Sequence, residues 1–363
     1  MSERTAFLFL CDLLSFAPPE ARRLALDEAI RRNRIAWPAL VRLASDHQVS
    51  PGILAALERA DLVRHLPSDL IDYFDGMAVL NRQRNEQIRG TALALAGRLA
   101  GIDVAPVFLK GAADLLTGLR PDPGERLQLD IDVLVPHARL DDCVSLLRRD
   151  GFESQLHTNS PLSHHAAPLW RPGDAAEIEL HTQPLAYPFD AILPAAEAFA
   201  TARRVAVGDH AVLVPSPAAR LIHGVTHAQL ADLGLAYGRV ELRQLLDIGH
   251  LALRHGAELD WDAIAARFAR QGHDAALAVQ LLAAARFLQA PVPVPALSWA
   301  SRALFARLRW QCGAPRLAAL EARLLRPFLL LGRSLSHAAL RRQLVLNLAD
   351  RRWLQRHLRQ LLR

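Results

Sequence analysis

Lysine is nearly missing from this 363-residue chain: of its 43 lysine and arginine residues, only Lys110 is a lysine. An arginine bias with abundant Ala, Leu and Pro is what a GC-rich genome produces. That accounts for the arginines and leaves Lys110 as an exception. An ammonium is a compact point charge that fits close to a phosphate where a planar guanidinium does not, so position 110 is marked for attention. Cysteine is also scarce. Cys11, Cys143 and Cys312 lie far apart, which excludes a disulfide framework and any cysteine-based metal spacing and points to a reducing, cytoplasmic setting. Aromatics make up 6%, and no RNA-binding signature accompanies them. Long apolar runs are missing too. RPFLLLG, residues 326–332, is too short to span a bilayer. The early run AFLFLCDLLSF is broken by Asp12 and lacks a small-residue cleavage site, so a helix is expected there and not a signal peptide. No stable membrane insertion is expected.

What is present is enough apolar material for a sizeable core, 51% of the chain, with a formal net charge of +6. This length usually means two or three domains. Residues 1–75 read as a helical region, with apolar residues at helical spacing in AFLFLCDLLSF and WPALVRLASDH and punctuation at Pro18–Pro19 and Pro51–Gly52. Residues 76–215 read as an α/β core. It opens with a helix from about Asp75 to Ala100, stopped by Gly101. Strands follow in VAPVFL (104–109) and LQLDIDVLV (127–135), with a helix over 138–149. GFESQLH, HHAAPLWR and AEIELHTQ are expected to share a sheet, with a turn at Pro172–Gly173, and VAVGDHAVLV is expected to be a hairpin around Gly208–Asp209. Residues 216–363 read as a C-terminal helical domain starting at Ser216–Pro217. The fold class is α+β.

The chemistry concentrates in the middle region. Asp130 and Asp132 are two apart in a strand, so their side chains share one face. Acids embedded in LQLDIDVLV are out of place in an apolar strand unless paired or bound to a cation. Two carboxylates this close suit magnesium, which takes oxygen ligands and shares them with phosphates, and a two-metal site is one such arrangement. Lys110–Gly111 falls at a strand-to-helix junction, where backbone N–H groups favour anions and glycine permits close approach. Glu177, Glu179 and His181 alternate on a later strand, and one of the acids can join the pair as ligand or base. Arg126, just before the acidic strand, has the geometry for a bidentate phosphate contact, although surface arginines are common here. His223 and His227 are one helical turn apart, which is compatible with zinc, but a packing or acceptor-pocket role is preferred. His164–His165 also draw the eye. Asp247, on an amphipathic helix, can line the cleft, but a structural N–H partner or a salt bridge is preferred. The basic tail, with Arg341, Arg342, Arg351, Arg352, Arg356, Arg359 and Arg363 near Trp353, reads as a solvated helix before a nucleic-acid or lipid-binding element.

Taken as a set, FLKGAADLL, ERLQLDIDVLV and EIELHTQ resemble the uncharacterised nucleotidyltransferase family of the polymerase-β-like superfamily. The resemblance is strongest over residues 104–182 and extends to RLIHGVTHAQL and LRQLLDIGHL. It implies a polymerase-β-like core, a small mixed sheet with helices, flanked by helical regions. It also implies magnesium-dependent transfer of a nucleoside monophosphate from an NTP. In those terms Asp130, Asp132 and Glu179 hold metal and catalyse, Lys110, Gly111 and Arg126 bind the nucleotide, and His181 is an acceptor-side or supporting group. The implied partners are an NTP and a sugar phosphate, peptide or other small acceptor from natural-product or polysaccharide biosynthesis, with nucleic acid disfavoured. Two departures stand out: Lys-Gly replaces the usual Gly-Ser before the acids, and Glu179 replaces the usual third Asp. They motivate one alternative, a nucleotide-binding or scaffold protein with weak catalysis; a toxin/antitoxin-type transferase acting on RNA or protein is kept as another.

Overall fold

The computed structural model describes residues 2–154 and 164–349. Residues 155–157 of the expected GFESQLH strand, and the tail residues Arg351, Arg352, Trp353, Arg356, Arg359 and Arg363, lie outside the described residues. The architecture is 64% helical with one mixed sheet. Four short helices come first, α1 (Glu3–Leu13), α2 (Glu20–Arg31), α3 (Trp37–Asp46) and α4 (Ile53–Arg59), before the long α5 (Ser68–Ala100). The middle region then follows as β1 (Val107–Phe108), α6 (Lys110–Leu116), β2 (Asp130–Leu134), α7 (Leu140–Arg149), β3 (Glu153–Ser154), β4 (Leu169–Trp170), β5 (Glu177–His181), α8 (Ala195–Ala200), β6 (Arg203–Val207) and β7 (His210–Val214). The rest is helical: α9 (Pro217–Thr226), α10 (Gly234–Tyr237), α11 (Leu242–His255), α12 (Trp261–Arg270), α13 (Asp274–Leu288), α14 (Trp299–Gln311), α15 (Pro315–Ser336) and α16 (Ala338–Ala349). No helix among the described residues is long and apolar enough to cross a membrane.

The sheet has strand order β3-β4-β5-β2-β1-β7-β6. Its centre is β2, antiparallel to β1 and parallel to β5. Ile131 and Val133 of β2 and Ile178 and Leu180 of β5 point into a core shared with α5 and α7. The alternate residues, Asp130, Asp132, Glu177, Glu179 and His181, therefore take the opposite face. The β6–β7 turn falls at Gly208–Asp209 as expected, with Gly208 left-handed at φ 58°.

The apolar interior is divided between two main cores, and α5 serves both. Its first turns bury Phe74 with Phe7, Leu10, Ile53 and Leu57 of the N-terminal helices and Leu245, Phe268 and Phe287 of the C-terminal ones. The two sets of helices thus share one core, and Phe7 meets Phe287 edge-on with ring centroids 5.2 Å apart. The later turns of α5 bury Ile88, Leu95 and Leu99 against the sheet. Two details differ from the sequence expectation. The long helix begins at Ser68, not Asp75, because Leu70, Ile71 and Phe74 already have an apolar core to face; residue 75 thus lies within a continuous helix. That helix does end before Gly101, but Gly101 stays right-handed at φ −64°, and the left-handed residue is Asp103 at φ 57°.

Candidate active site

The acidic residues converge because β2 and β5 run parallel in a register that sets Asp132 beside Glu179 and Leu134 beside His181. Asp132 is fully buried. Its Oδ1 accepts from the Lys110 ammonium at 2.7 Å and pairs with His181 Nε2 at 2.8 Å. Its Oδ2 is buried with no hydrogen-bond partner among the described residues. His181 Nε2 also lies 3.4 Å from Glu179 Oε2, so one imidazole ties two carboxylates together. Ligand atoms of Asp132, Glu179 and His181 all fall within 4.8 Å of one another. Asp130 is not in that compact set: it is the first residue of β2, half-buried, with Gln128 Nε2 donating to its carboxylate at 3.4 Å.

The electrostatics follow from this packing. Burial alone raises a carboxyl pKa, but Lys110 and His181 outweigh burial at Asp132 and hold it below the usual carboxylate range. Asp130 lacks such a cation in contact. Burial, and then the charge of Asp132, push it upward. Glu179 is held low by its bond to His181. His181 is raised despite burial, because Asp132 and Glu179 favour its charged form. Two further histidines crowd the same spot, with the rings of His164 and His165 each 5.1 Å from that of His181. Burial, and then the neighbouring His181, push His164 down to about 3.

Lys110 reaches Asp132 because β1 ends against β2, where Leu109 N–H donates to the Asp132 carbonyl at 2.9 Å. The chain then turns sharply, and Lys110 itself adopts a left-handed φ of 45°, a strained conformation for a residue with a side chain. Gly111 follows, and a Cβ there would overlap Gln128 Oε1 and Arg126 Nη1. A side chain at 111 would have to displace those two groups, a constraint that stands beside the phosphate approach expected from sequence.

Arg126 is deeply engaged. Its guanidinium bonds Asp247 at 3.1 and 3.0 Å, approaches Asp114 at 3.4 Å and also bonds Gln128 Oε1. Asp247 additionally accepts from Arg120 at 2.8 Å, and Asp114 from Arg220 at 2.6 Å. This lattice joins α6, the loop before β2, α9 and α11. From α5, Asn81 and Asn85 each bond the Arg126 carbonyl, at 2.9 and 2.8 Å, and fix the loop from below. The expected salt bridge of Asp247 is therefore present, with Arg126 and Arg120 as its partners.

Between the sheet and helices α9 and α11 lies a cavity of about 160 Å³ whose walls include Lys110, Asp130, Asp132, His223, Arg243 and Asp247. His223 and His227 both border it, and α9 passes into a π-helical turn at His227–Ala231, a distortion often found at functional sites. A second cavity of about 230 Å³ shares Gly111, Asp114, Arg126 and Gln128 with the first. Sequence reasoning passed over Gln128, Asp114, Arg220 and Arg243. Two carried a signal: Gln128 continues the alternation of Asp130 and Asp132, and Asp114 is one helical turn from Lys110. The arginines carried none among so many others.

Comparison with known proteins adds a family match. The sequence model of the family described as "Uncharacterised nucleotidyltransferase" matches residues 33–289. No curated protein matches the chain. Among solved structures, an antigenic nucleotidyltransferase-like protein from Paracoccidioides brasiliensis is similar at 18% identity, over 57% of this chain and 94% of that one, with a TM-score of 0.34. So weak a superposition assigns no chemistry to this chain.

Proposed function

The chain belongs to the uncharacterised nucleotidyltransferase family, and from that premise we propose that it moves the nucleoside monophosphate of an NTP to a hydroxyl or phosphate acceptor at the cluster around Asp132. The acceptor oxygen bonds to the α-phosphorus. The bond from that phosphorus to the bridging oxygen breaks, pyrophosphate leaves with the electron pair, and the acceptor proton passes to a carboxylate of the cluster. Positioning and charge neutralisation supply most of the rate.

The observation that carries this reading is Asp132, a fully buried carboxylate with one oxygen unpartnered. A buried acceptor left unmade costs free energy, so such a group is better explained by a cation it receives than by the fold it sits in. The donor set fits a divalent ion: Asp132 and Glu179 supply oxygens, and Asp130 stands at the cavity wall. Magnesium held there would neutralise phosphate charge and stabilise the attacking and leaving oxygens. Lys110, about a quarter exposed, is assigned to the triphosphate. Gly111 lies beside it and lets Gln128 and Arg126 close in. Arg126, its donors engaged by Asp247, Asp114 and Gln128, acts by positioning. His181 keeps Asp132 and Glu179 at a fixed separation. A sugar phosphate, a peptide or another small molecule is the proposed acceptor class.

Pyrophosphate release from a panel of NTPs with magnesium, across candidate acceptors, tests this directly. Asp130→Asn and Asp132→Asn are each expected to abolish metal-dependent turnover, and full activity in either rejects the assignment. A second reading, nucleotide binding with little turnover, is favoured by one observation: the Lys110 ammonium already neutralises Asp132 at 2.7 Å. Calorimetry with NTP and magnesium separates the two, because binding without pyrophosphate release in any condition supports the second.

A further inference from the structure

Among the described residues, three of the four lysine and arginine side chains around the smaller cavity bond an acid directly, and the fourth does not. Lys110 bonds Asp132, Arg220 bonds Asp114, and Arg126 bonds Asp247. Arg243, near the start of α11, also lines the cavity. Among the described residues its guanidinium makes no hydrogen bond, its Nε is buried without a partner, and its ion pair with Glu241 is a long 3.8 Å. Asp247 lies one helical turn further along α11 and would be a natural partner, but its oxygens are taken by Arg126 and Arg120. Burial, and then the like charge of Arg126, lower the Arg243 pKa from the ordinary arginine value. A mostly buried guanidinium whose one ion pair is stretched to 3.8 Å is poorly compensated for the water it has lost. Its planar fork matches phosphate oxygens bidentately.

A second wall of the same cavity carries another unmatched group. His223 of α9 is 2% exposed, and its Nε2 is buried with no hydrogen-bond partner among the described residues. Burial, and then the charge of Lys110, keep this imidazole neutral at ordinary pH, so its free ring nitrogen can meet a hydroxyl or protonated phosphate oxygen. Two helices outside the sheet thus direct spare hydrogen-bonding capacity into one space, alongside the acids of the sheet.

We propose that α9 and α11 form an anion subsite centred on Arg243, with His223 beside it, which takes a phosphate group of a bound substrate. The inference rests on the cavity being the substrate site, while the residues it assigns are separate from the acid cluster. The phosphate has two possible sources with the same chemistry, the triphosphate tail of the nucleotide and the phosphate of a phosphorylated acceptor.

The test uses the full-length protein with Arg243→Gln and Arg243→Lys, melted without metal in the presence of inorganic phosphate, pyrophosphate, a hexose 1-phosphate or an NTP. Phosphate or pyrophosphate is expected to raise the melting temperature of the parent protein. In Arg243→Gln the dissociation constant should rise about tenfold or more, the usual consequence of losing a hydrogen bond to a charged group. Arg243→Lys should fall between the two. Without ligand, Arg243→Gln should melt at or above the parent temperature, because it removes a charge short of partners. Weakened NTP binding with no effect of hexose phosphate assigns the subsite to the triphosphate. Loss of hexose-phosphate protection with NTP binding intact assigns it to the acceptor. Equal phosphate protection in parent and Arg243→Gln overturns the proposal, as does an absence of protection in the parent. If Arg243→Gln melts early, Arg243→Lys decides: protection weaker than the parent's at parental stability supports the subsite, and equal protection overturns it. Pyrophosphate release is measured separately, so a protein that binds phosphate through Arg243 yet transfers no nucleotide would cost only the transfer reading.

Discussion

Asp132 and Asp247 face the same cavity and are handled in opposite ways. Asp247 sits in a closed lattice, gripped by Arg126 through two bonds and by Arg120 through a third. Asp132 has a lysine and a histidine on one oxygen and nothing on the other. Both carboxyls are held well below their ordinary pKa, because cations outweigh the burial that would raise them. The shared direction hides a difference in capacity. The two guanidinium groups engage both oxygens of Asp247, whereas the ammonium and ring N–H converge on one oxygen of Asp132. In one cavity, then, the arginine-bound acid is held on both oxygens, and the lysine-bound acid keeps one oxygen without a partner among the described residues.

Substitutions can break or sharpen that contrast. Asp132→Asn carries the largest expected effect: a loss of several kcal/mol of charge stabilisation, read as a fall in metal-dependent turnover of about 10⁴-fold or more. Its melting temperature should change less than that of the matching change at Asp247, because Lys110 is partly exposed and has Asp130 and Glu179 within electrostatic reach. A larger stability loss at 132 than at 247, in paired thermal melts, would erase the distinction.

Asp247→Asn should cost about 3–5 kcal/mol of stability, the usual result of stranding a buried partner, with NTP affinity per folded molecule nearly unchanged. The same group sets an acid limit. The folded pKa of Asp247 is depressed, so its contribution is fully present above the unfolded value of about 3.9. It is lost as pH falls through the folded value. Denaturant melts between about pH 5 and pH 2 should therefore show a steep decline in the parent and a shallower one in Asp247→Asn.

Gly111→Ala touches both regions at once. The added methyl would displace Gln128 and Arg126, and overpacking of this kind costs about 1–3 kcal/mol. Both stability and NTP binding should fall, and an effect on binding alone would show that the Arg126 lattice yields more easily than its bonds imply. Lys110→Arg is the mildest. It keeps the charge but places a fork where an ammonium reaches Asp132, and should raise the apparent KM for NTP by about tenfold, the effect of one charged hydrogen bond. Parental kinetics in that variant would mean that the single lysine is an accident of codon usage.

Much of the site could be read from periodicity alone. The alternation in LQLDIDVLV sets Asp130 and Asp132 on one face, and that in EIELHTQ does the same for Glu179 and His181. Periodicity could not supply the parallel pairing that brings these strands together, or show that Asp130, at the strand's first position, stands apart from the compact trio. The pairing of arginines was even less legible. Arg126 looked like a phosphate ligand from its place before the acids, and its engagement with Asp247 depends on a contact between residues far apart in sequence. Arg243 was hidden for the same reason. Which arginine is left without an acid is a property of the folded arrangement, and local sequence has no record of it. The elements themselves were easier to read, though the strands proved shorter than their apolar runs because ladder pairing stops where the neighbouring strand does.

The discontinuous helical core has a consequence for how the protein is made. A ribosome delivers the chain in one direction, and domains tend to fold as they emerge. Helices α1 to α4 leave first, carrying Phe7, Leu10, Ile53 and Leu57, whose partners on α11 to α13 have yet to be synthesised. The sheet core, contiguous from α5 to β7, can close before them. Lys110 and Asp132 are therefore expected to be able to meet before Arg243 has been synthesised. In chain order the acid cluster is the older half of the cavity, and the helical wall that encloses it follows.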